Sequence, residues 1–224
     1  MKEKSISTDL TILEQLPPVV DLLFLADRFN HYKNPRKKVF DLTRKGYLEL
    51  VRNGHYLNLK SQNFKQVPLE KIANALYFPS YISAEWALQY YGLLTERVYT
   101  ITSVTPRKSI NFKTSLGNFE FNHLHKHRYA FGYEVLENDF MIARPEKALI
   151  DYLNLRGHFK HWTSCQDLEE FLTEDLRIHF SSFLDQITAD HLQEILPHYH
   201  RNSKEARTLK WILTRKELSN AESN

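Results

Sequence analysis

Cysteine and long apolar runs are almost absent from this sequence. Cys165 is the only cysteine, which excludes an internal disulfide and most cysteine-based metal clusters. No apolar run approaches the roughly 20 residues that a membrane-spanning helix needs, and the N-terminal MKEKSISTDL has cations without the apolar segment of a secretory signal. The chain also lacks a P-loop, a glycine-rich dinucleotide fingerprint and a Gly-x-Ser-x-Gly nucleophile motif. We therefore expect a soluble, cytoplasmic protein that needs no cofactor.

The positive charge of the chain is concentrated in one segment. The net charge is +3, yet residues 28–65 contain ten Lys or Arg residues against two acidic residues, Asp41 and Glu49. The rest of the chain is therefore acidic. This asymmetry suggests a module with an anionic partner joined to one without. The alternative is a basic surface that is merely solvated.

Two short helices are predicted before the basic segment. The first follows an N-cap at Ser7, Thr8 or Asp9 and ends at Pro17, where the sequence continues with a second proline. The second lies within residues 19–29, where apolar side chains recur at helical spacing.

A third predicted helix, residues 35–45, combines an apolar stripe with a basic face. Asn34 suits the N-cap position before a proline, and Gly46 suits the left-handed position that follows a helix. Helical periodicity places Val39 and Leu42 on one face. The opposite face carries the charged residues Lys37, Asp41 and Arg44. The helix should bury the first set and direct the second outward.

A hairpin is predicted directly after this helix. Two alternating runs, residues 47–51 and 56–59, flank Asn53 and Gly54, a pair that suits the positive φ angles of a tight primed turn. Three helices followed by a hairpin predict a winged helix-turn-helix over residues 1–66, in which the third helix enters the DNA major groove. The candidate DNA-binding residues are Lys33, Arg36, Lys37, Lys38, Arg44 and Lys45, with Arg52 and His55 on the wing.

Residues 67–224 are predicted to form a second domain, which makes the fold class α+β. Its pattern is two helices, the second capped by Ser83, then an antiparallel β-rich centre, and then helices to the end. The helix ARPEKALIDYL begins near Pro145, and three more begin near Ser164, Thr188 and Ser203.

Two clusters in this second domain could carry chemistry. His123, His125 and His127 would share one face of a strand and could hold a metal ion, but a polar strand end is the favoured interpretation, and no metal is predicted. The other cluster comprises Arg144, Glu146, Lys147 and Asp151. It could be a nuclease or transferase site, but a helix start with an i, i+4 ion pair is favoured.

With these motifs in view, the chain resembles the AbiEi family of abortive-infection toxin–antitoxin systems. In the first domain the likeness rests on LTRKGYLELVRNGHY, that is, on Leu42, Gly46, Leu48, Arg52, Gly54 and Tyr56. In the second it rests on YISAEWALQYYGL (Tyr81, Ser83, Ala87, Leu88, Tyr91, Gly92, Leu93) and ARPEKALIDYL (Ala143, Pro145, Glu146, Lys147, Ala148, Leu149, Asp151).

The resemblance implies a type IV antitoxin of phage defence that also represses its own operon. It implies an N-terminal winged helix bound to double-stranded promoter DNA, and a C-terminal antitoxin domain that contains Arg144, Glu146, Lys147 and Asp151. The implied toxin is similar to nucleotidyltransferases and is countered without a stable complex. A homodimer on repeated half-sites would supply operator selectivity. Two alternatives stay open: a protein-interaction module, and a nucleic-acid-processing enzyme.

Overall fold

The N-terminal region combines three helices with a three-stranded sheet. The computed structural model describes residues 2–137, 139–160 and 164–222. The helices are α1 (Lys2–Glu14), α2 (Leu22–Arg28) and α3 (Pro35–Arg44). The strands are β1 (Val19–Asp21), β2 (Leu48–Arg52) and β3 (His55–Asn58), in the antiparallel order β1-β3-β2.

Two predictions for this region are wrong. Helix α1 begins at Lys2, so Asp9 is not a cap but lies in mid-helix, buried. The predicted second helix is shorter, because residues 19–21 form β1 against β3. Asp21 then starts α2: its carboxylate accepts a hydrogen bond from the backbone N–H of Phe24 at 2.8 Å, as an N-cap does.

The β2–β3 hairpin forms as predicted but with a different turn. Gly54 has a φ of +76°, whereas Asn53 is not among the residues with positive φ. A type I′ turn needs positive φ at both central positions and a type II′ turn at the first, so the predicted primed turn is wrong. The register shifts between Leu50 and Arg52, which leaves Val51 as a bulge that twists the end of the hairpin.

The rest of the chain forms a six-stranded sheet surrounded by helices. The strands are β4 (Tyr81–Ile82), β5 (Thr100–Thr105), β6 (Ile110–Thr114), β7 (Gly117–His123), β8 (Tyr133–Val135) and β9 (Met141–Ala143). The helices are α4 (Leu69–Leu76), α5 (Ala84–Tyr90), α6 (Lys126–Tyr129), α7 (Pro145–Leu155), α8 (Cys165–Glu170), α9 (Phe180–Gln186), α10 (Ala189–Ile195) and α11 (Lys204–Glu222). The whole fold is α+β, and α8, α10 and α11 begin after Ser164, Thr188 and Ser203 as predicted.

The sheet is mixed, so the predicted antiparallel centre is wrong. Its order is β6-β7-β5-β4-β9-β8, with β5 parallel to β7 and β4 parallel to β9. In the β6–β7 hairpin it is the second strand, β7, that pairs with β5. Strand β7 runs antiparallel to β6 and parallel to β5. Strand β4 was missed, because two residues are too few to show a period of two.

The apolar side chains form two clusters. The smaller cluster is N-terminal and includes Leu13, Leu25 and Phe29 together with the α3 stripe. The larger cluster lies around the six-stranded sheet and also takes in Leu57 of β3. The two regions meet again where Glu49 of β2 accepts a hydrogen bond from the backbone N–H of Ser115, at 3.0 Å. None of the described helices has the length and apolar character to cross a membrane.

Candidate nucleic-acid interface

The local structure of α3 follows from its sequence. The side chain of Asn34 accepts a hydrogen bond from the backbone N–H of Lys37 at 3.0 Å, and Pro35 occupies the first turn, where its missing N–H costs nothing. Val39 and Leu42 are buried in the N-terminal cluster. Gly46 follows the helix with a φ of +70°. The predicted helix, its cap and its buried stripe are therefore confirmed.

The outward side of α3 is a basic surface. Its five exposed cations, here called the α3 basic surface, are Lys33, Arg36, Lys37, Arg44 and Lys45. Within the part of the chain that the structure describes, none of the five forms an ion pair. Asp41, half-buried, is the acidic residue of this helix. Because these side chains are exposed and unpaired among the described residues, the surface can meet an anion.

Lys38 does not belong to the α3 basic surface, in contrast to the prediction. Its ammonium group forms an ion pair with Asp9 of α1 and lies 4.3 Å from the ring centroid of Tyr32, whose hydroxyl donates to Asp9 at 2.7 Å. The side chain of Lys38 is 13% exposed and that of Asp9 is 1% exposed. Burial alone would lower the pKa of Lys38, but the hydrogen bonds to Asp9 and Tyr32 raise it. Lys38 therefore links α3 to α1 through an ion pair.

Arg52 and His55 lie on the hairpin as predicted but bind one another. A guanidinium nitrogen of Arg52 lies 2.8 Å from Nε2 of His55, and Nδ1 of His55 lies 3.3 Å from the carbonyl oxygen of Asn53. Because arginine can only donate, Nε2 must accept, and the proton of a neutral His55 then sits on Nδ1, where it can reach that carbonyl. The guanidinium of Arg52 also lies over the ring of Tyr77, so it points to the larger sheet.

Lys147 and Asp151 form a buried ion pair. The sequence interpretation as an i, i+4 pair is confirmed, but both side chains are sealed in the core, with 0% and 2% of their surface exposed. The hydroxyl of Ser83 donates to Asp151 at 2.7 Å instead of capping α5, so the predicted cap hydrogen bond is wrong. The rings of Tyr81 and Phe131 lie 5.7 Å and 5.3 Å from the ammonium group. Burial lowers the pKa of Lys147.

Arg144 and Glu146 stand at the start of α7. Glu146 is in the first helical turn after Pro145, as predicted, and is completely buried. Nε of Arg144 lies 3.0 Å from a carboxylate oxygen of Glu146, and Nη1 of Arg144 lies 2.9 Å from Glu194 of α10. Burial raises the pKa of Glu146 although Arg144 is near. The contact between Arg144 and Glu194 ties the start of α7 to α10 at the surface, since the side chain of Glu194 is 55% exposed.

The three histidines do not form a metal site. His123 ends β7, whereas His125 and His127 belong to the start of α6, and their two rings stack at 5.0 Å. The strand end that the sequence favoured is confirmed. No group of three or more potential metal ligands occurs among the described residues.

Arg107 and Lys108 were missed by the sequence analysis. They are exposed in the loop between β5 and β6, and the guanidinium of Arg107 lies 4.7 Å from the ring centroid of Tyr77, the ring that Arg52 also contacts. The run Pro106-Arg107-Lys108 was the one signal in the sequence, and only the fold brings it to the hairpin.

Comparison with known proteins gives no assignment. No protein-family model matches the chain. A search of curated proteins found no sequence match.

Proposed function

We propose that the N-terminal region is a winged helix-turn-helix that binds double-stranded DNA. In this proposal α2 and α3 form the helix-turn-helix, α3 is the recognition helix and the β2–β3 hairpin is the wing. The observation that carries the proposal is the α3 basic surface. Arg36, Lys37 and Arg44 lie on a helix whose apolar stripe is buried, Lys33 and Lys45 flank its two ends, and none of the five forms an ion pair with a described residue. The exposure of all five side chains supports binding of an external anion at this face.

The strength and salt dependence of binding follow from the same five cations. Each phosphate that is neutralised releases condensed counterions, so the logarithm of affinity should fall with the logarithm of salt concentration at a slope of roughly −4.5 if all five make contact. Lys38 is left out of this count, because its charge is already compensated by Asp9. The proposed readout of sequence comes from α3 side chains at base edges, and phosphate contacts only position the helix.

We further propose that the chain represses its own operon and acts as the antitoxin of an AbiE-like toxin–antitoxin system. The support is the likeness of LTRKGYLELVRNGHY, YISAEWALQYYGL and ARPEKALIDYL to the AbiEi family. The cognate toxin would be a nucleotidyltransferase-like protein that is countered without a stable complex. Operator selectivity would come from two protomers on paired half-sites.

DNA binding is tested with a charge-matched pair of variants. Lys37→Ala combined with Arg44→Ala should abolish most binding to the promoter fragment in a gel-shift assay at fixed salt. Arg207→Ala combined with Lys210→Ala removes the same charges from an exposed face of α11 and should leave binding unchanged. Both should fold, since all four side chains are exposed. Equal binding by the two double variants would refute the proposal.

The antitoxin role is tested in cells. Co-expression of the chain with the neighbouring open reading frame should restore growth that this second protein alone arrests, if that frame encodes a nucleotidyltransferase-like toxin. The Lys37/Arg44 double variant should still restore growth when expressed from a foreign promoter, because DNA binding and toxin neutralisation are assigned to different regions. Growth arrest that persists with the wild-type chain would refute the antitoxin role.

A protein-docking function is the second candidate. Phe40 of α3 is 61% exposed, and Leu23 of α2 and Leu50 of β2 are exposed apolar side chains of the same region. Such residues can bind a protein partner. Docking is favoured over DNA binding if Phe40→Ala, like the α11 control, leaves promoter binding unchanged but prevents the capture of a protein partner at high salt.

A further inference from the structure

Two arginines from distant parts of the chain share one aromatic ring. Arg52 ends β2 on the proposed wing, and Arg107 lies in the loop between β5 and β6. Their guanidinium carbons are 5.2 Å and 4.7 Å from the ring centroid of Tyr77. Cations are attracted to the face of an aromatic ring, so Tyr77 holds both groups at the junction of the hairpin and the larger sheet.

The charges of this pair are not compensated. Among the ion pairs of the described residues none includes Arg52, Arg107 or the adjacent Lys108. Burial, and after it the nearby charge of Arg107, lower the pKa of Arg52. A fold that brings cations together without an acid leaves room for an external anion.

The loop that carries Arg107 is held in place by the following four hydrogen bonds, among others. Nδ1 of His123 lies 2.8 Å from the carbonyl oxygen of Arg107, and the backbone N–H of His123 donates to the Ser109 hydroxyl at 2.8 Å. The hydroxyl of Tyr77 donates to the carbonyl oxygen of Lys108 at 3.1 Å. Arg107 itself donates from Nη1 to the carbonyl oxygen of Phe78 at 2.9 Å. Little conformational entropy is therefore lost when an anion binds.

The geometry suits a phosphate. Planar guanidinium groups match the several acceptor oxygens of a phosphate and form strong charge-assisted hydrogen bonds with it. Arg52 lies on the hairpin that directly follows α3 and that is the proposed wing. We propose that Arg52, Arg107 and Lys108 together bind a backbone phosphate of the DNA that α3 contacts. The larger sheet then takes part directly in DNA binding, an inference that rests on the proposed function.

The test compares two arginines that each lie over a tyrosine. Arg107→Ala in the full chain should weaken binding to the promoter about fivefold and reduce the salt slope by about 1. A scrambled duplex of equal length should lose affinity by the same factor, because a phosphate contact carries no sequence information. Arg97, exposed and 5.3 Å from the ring centroid of Tyr99, is the control, and Arg97→Ala should bind as the wild type does. Arg107→Lys, which keeps the charge, should retain the salt slope.

The possible outcomes separate this inference from the proposed function. If the Lys37/Arg44 double variant loses binding while Arg107→Ala keeps wild-type affinity and slope, the inference is overturned and DNA binding by α3 stands. If the double variant binds like its α11 control, the proposed function fails. Titration with inorganic phosphate at constant ionic strength distinguishes the source of the anion. If Arg107→Ala removes saturable phosphate binding but leaves DNA binding unchanged, the site binds free phosphate and the inference is overturned.

Discussion

The ammonium group of Lys38 is turned inward to the carboxylate of Asp9, although Lys38 lies on the helix whose other cations are exposed. This ion pair joins α3 to α1, and the Tyr32 hydroxyl completes it. The orientation of α3 therefore depends on one cation whose side chain is mostly buried. Its neighbour Lys37, one residue earlier, is exposed.

Loss of the Asp9 carboxylate should destabilise the fold. Asp9→Asn leaves the largely buried ammonium of Lys38 without a counter-charge, which should cost about 2–4 kcal/mol of unfolding free energy. Asp9→Asn combined with Lys38→Met should recover most of this loss, because no unpaired charge remains. Urea unfolding measures both. Lys38→Met alone should leave the salt slope of DNA binding unchanged. A reduced slope would show that Lys38 contacts DNA.

Removal of the acid on α3 should strengthen DNA binding. Asp41 lies one helical turn from both Lys37 and Arg44, so it repels phosphate near the proposed contacts. Asp41→Asn should raise promoter affinity about threefold at low salt, and the gain should shrink at high salt as screening increases. Glu217→Gln, at an exposed site on α11, is the control and should have no effect. Weaker binding by Asp41→Asn would instead indicate that the carboxylate accepts a hydrogen bond from a base.

The buried Glu146 should make stability depend on pH. Burial raises its pKa above the ordinary value of 4.5. Such a carboxyl group favours the folded state fully below the unfolded-state pKa, and this contribution is lost as the pH rises through the folded-state pKa. Glu146→Gln should therefore be more stable than the wild type at neutral pH and should lose that advantage near pH 4. Urea unfolding at the two pH values measures the difference, and an advantage that grows on acidification would contradict the prediction.

Gly132 should be far less replaceable than Gly157. Both have positive φ angles, +71° and +68°, so an alanine is strained at either position. A Cβ at Gly132 would also lie 3.0 Å from Cβ and Cγ of Lys147, whereas nothing lies within 4 Å at Gly157. Gly157→Ala should cost about 1 kcal/mol, and Gly132→Ala about 1–3 kcal/mol more. Thermal unfolding compares them; equal losses would show that the Lys147 side chain adjusts without cost.

Local patterns carried the correct predictions. The cap at Asn34, the stripe of Val39 and Leu42, and the position of the hairpin around Asn53 and Gly54 are each specified by neighbours in the chain. Helix α3 and the hairpin therefore lie where the sequence predicted them, although the turn type differs. The short strands β1 and β4 and the parallel pairing of β5 with β7 depend on partners far away in the chain. The local periodicity of a sequence does not show which distant strands will pair.

In the candidate site, too, features set by neighbouring residues could be predicted and features set by distant residues could not. Exposure of Lys37 and Arg44 follows from helical periodicity, whereas the inward turn of Lys38 depends on Asp9, which comes 29 residues earlier. Lys147 and Asp151 have the spacing of an exposed pair, and their burial depends on residues far away in the chain, such as Tyr81, whose ring centroid lies 5.7 Å from the Lys147 ammonium group. The proximity of Arg107 to the hairpin could not be predicted from the hairpin sequence. Arg107 lies 55 residues after Arg52, and both contact the ring of Tyr77.

The placement of Leu57 has a practical consequence. This side chain belongs to the hairpin but is buried in the core of the larger sheet, and Glu49 of the same hairpin is bonded to Ser115. A fragment cut after residue 66 would keep the α3 basic surface but would leave Leu57 bare to water, and such a fragment would tend to self-associate. The N-terminal region and the larger sheet are therefore best expressed, crystallised and assayed as one chain.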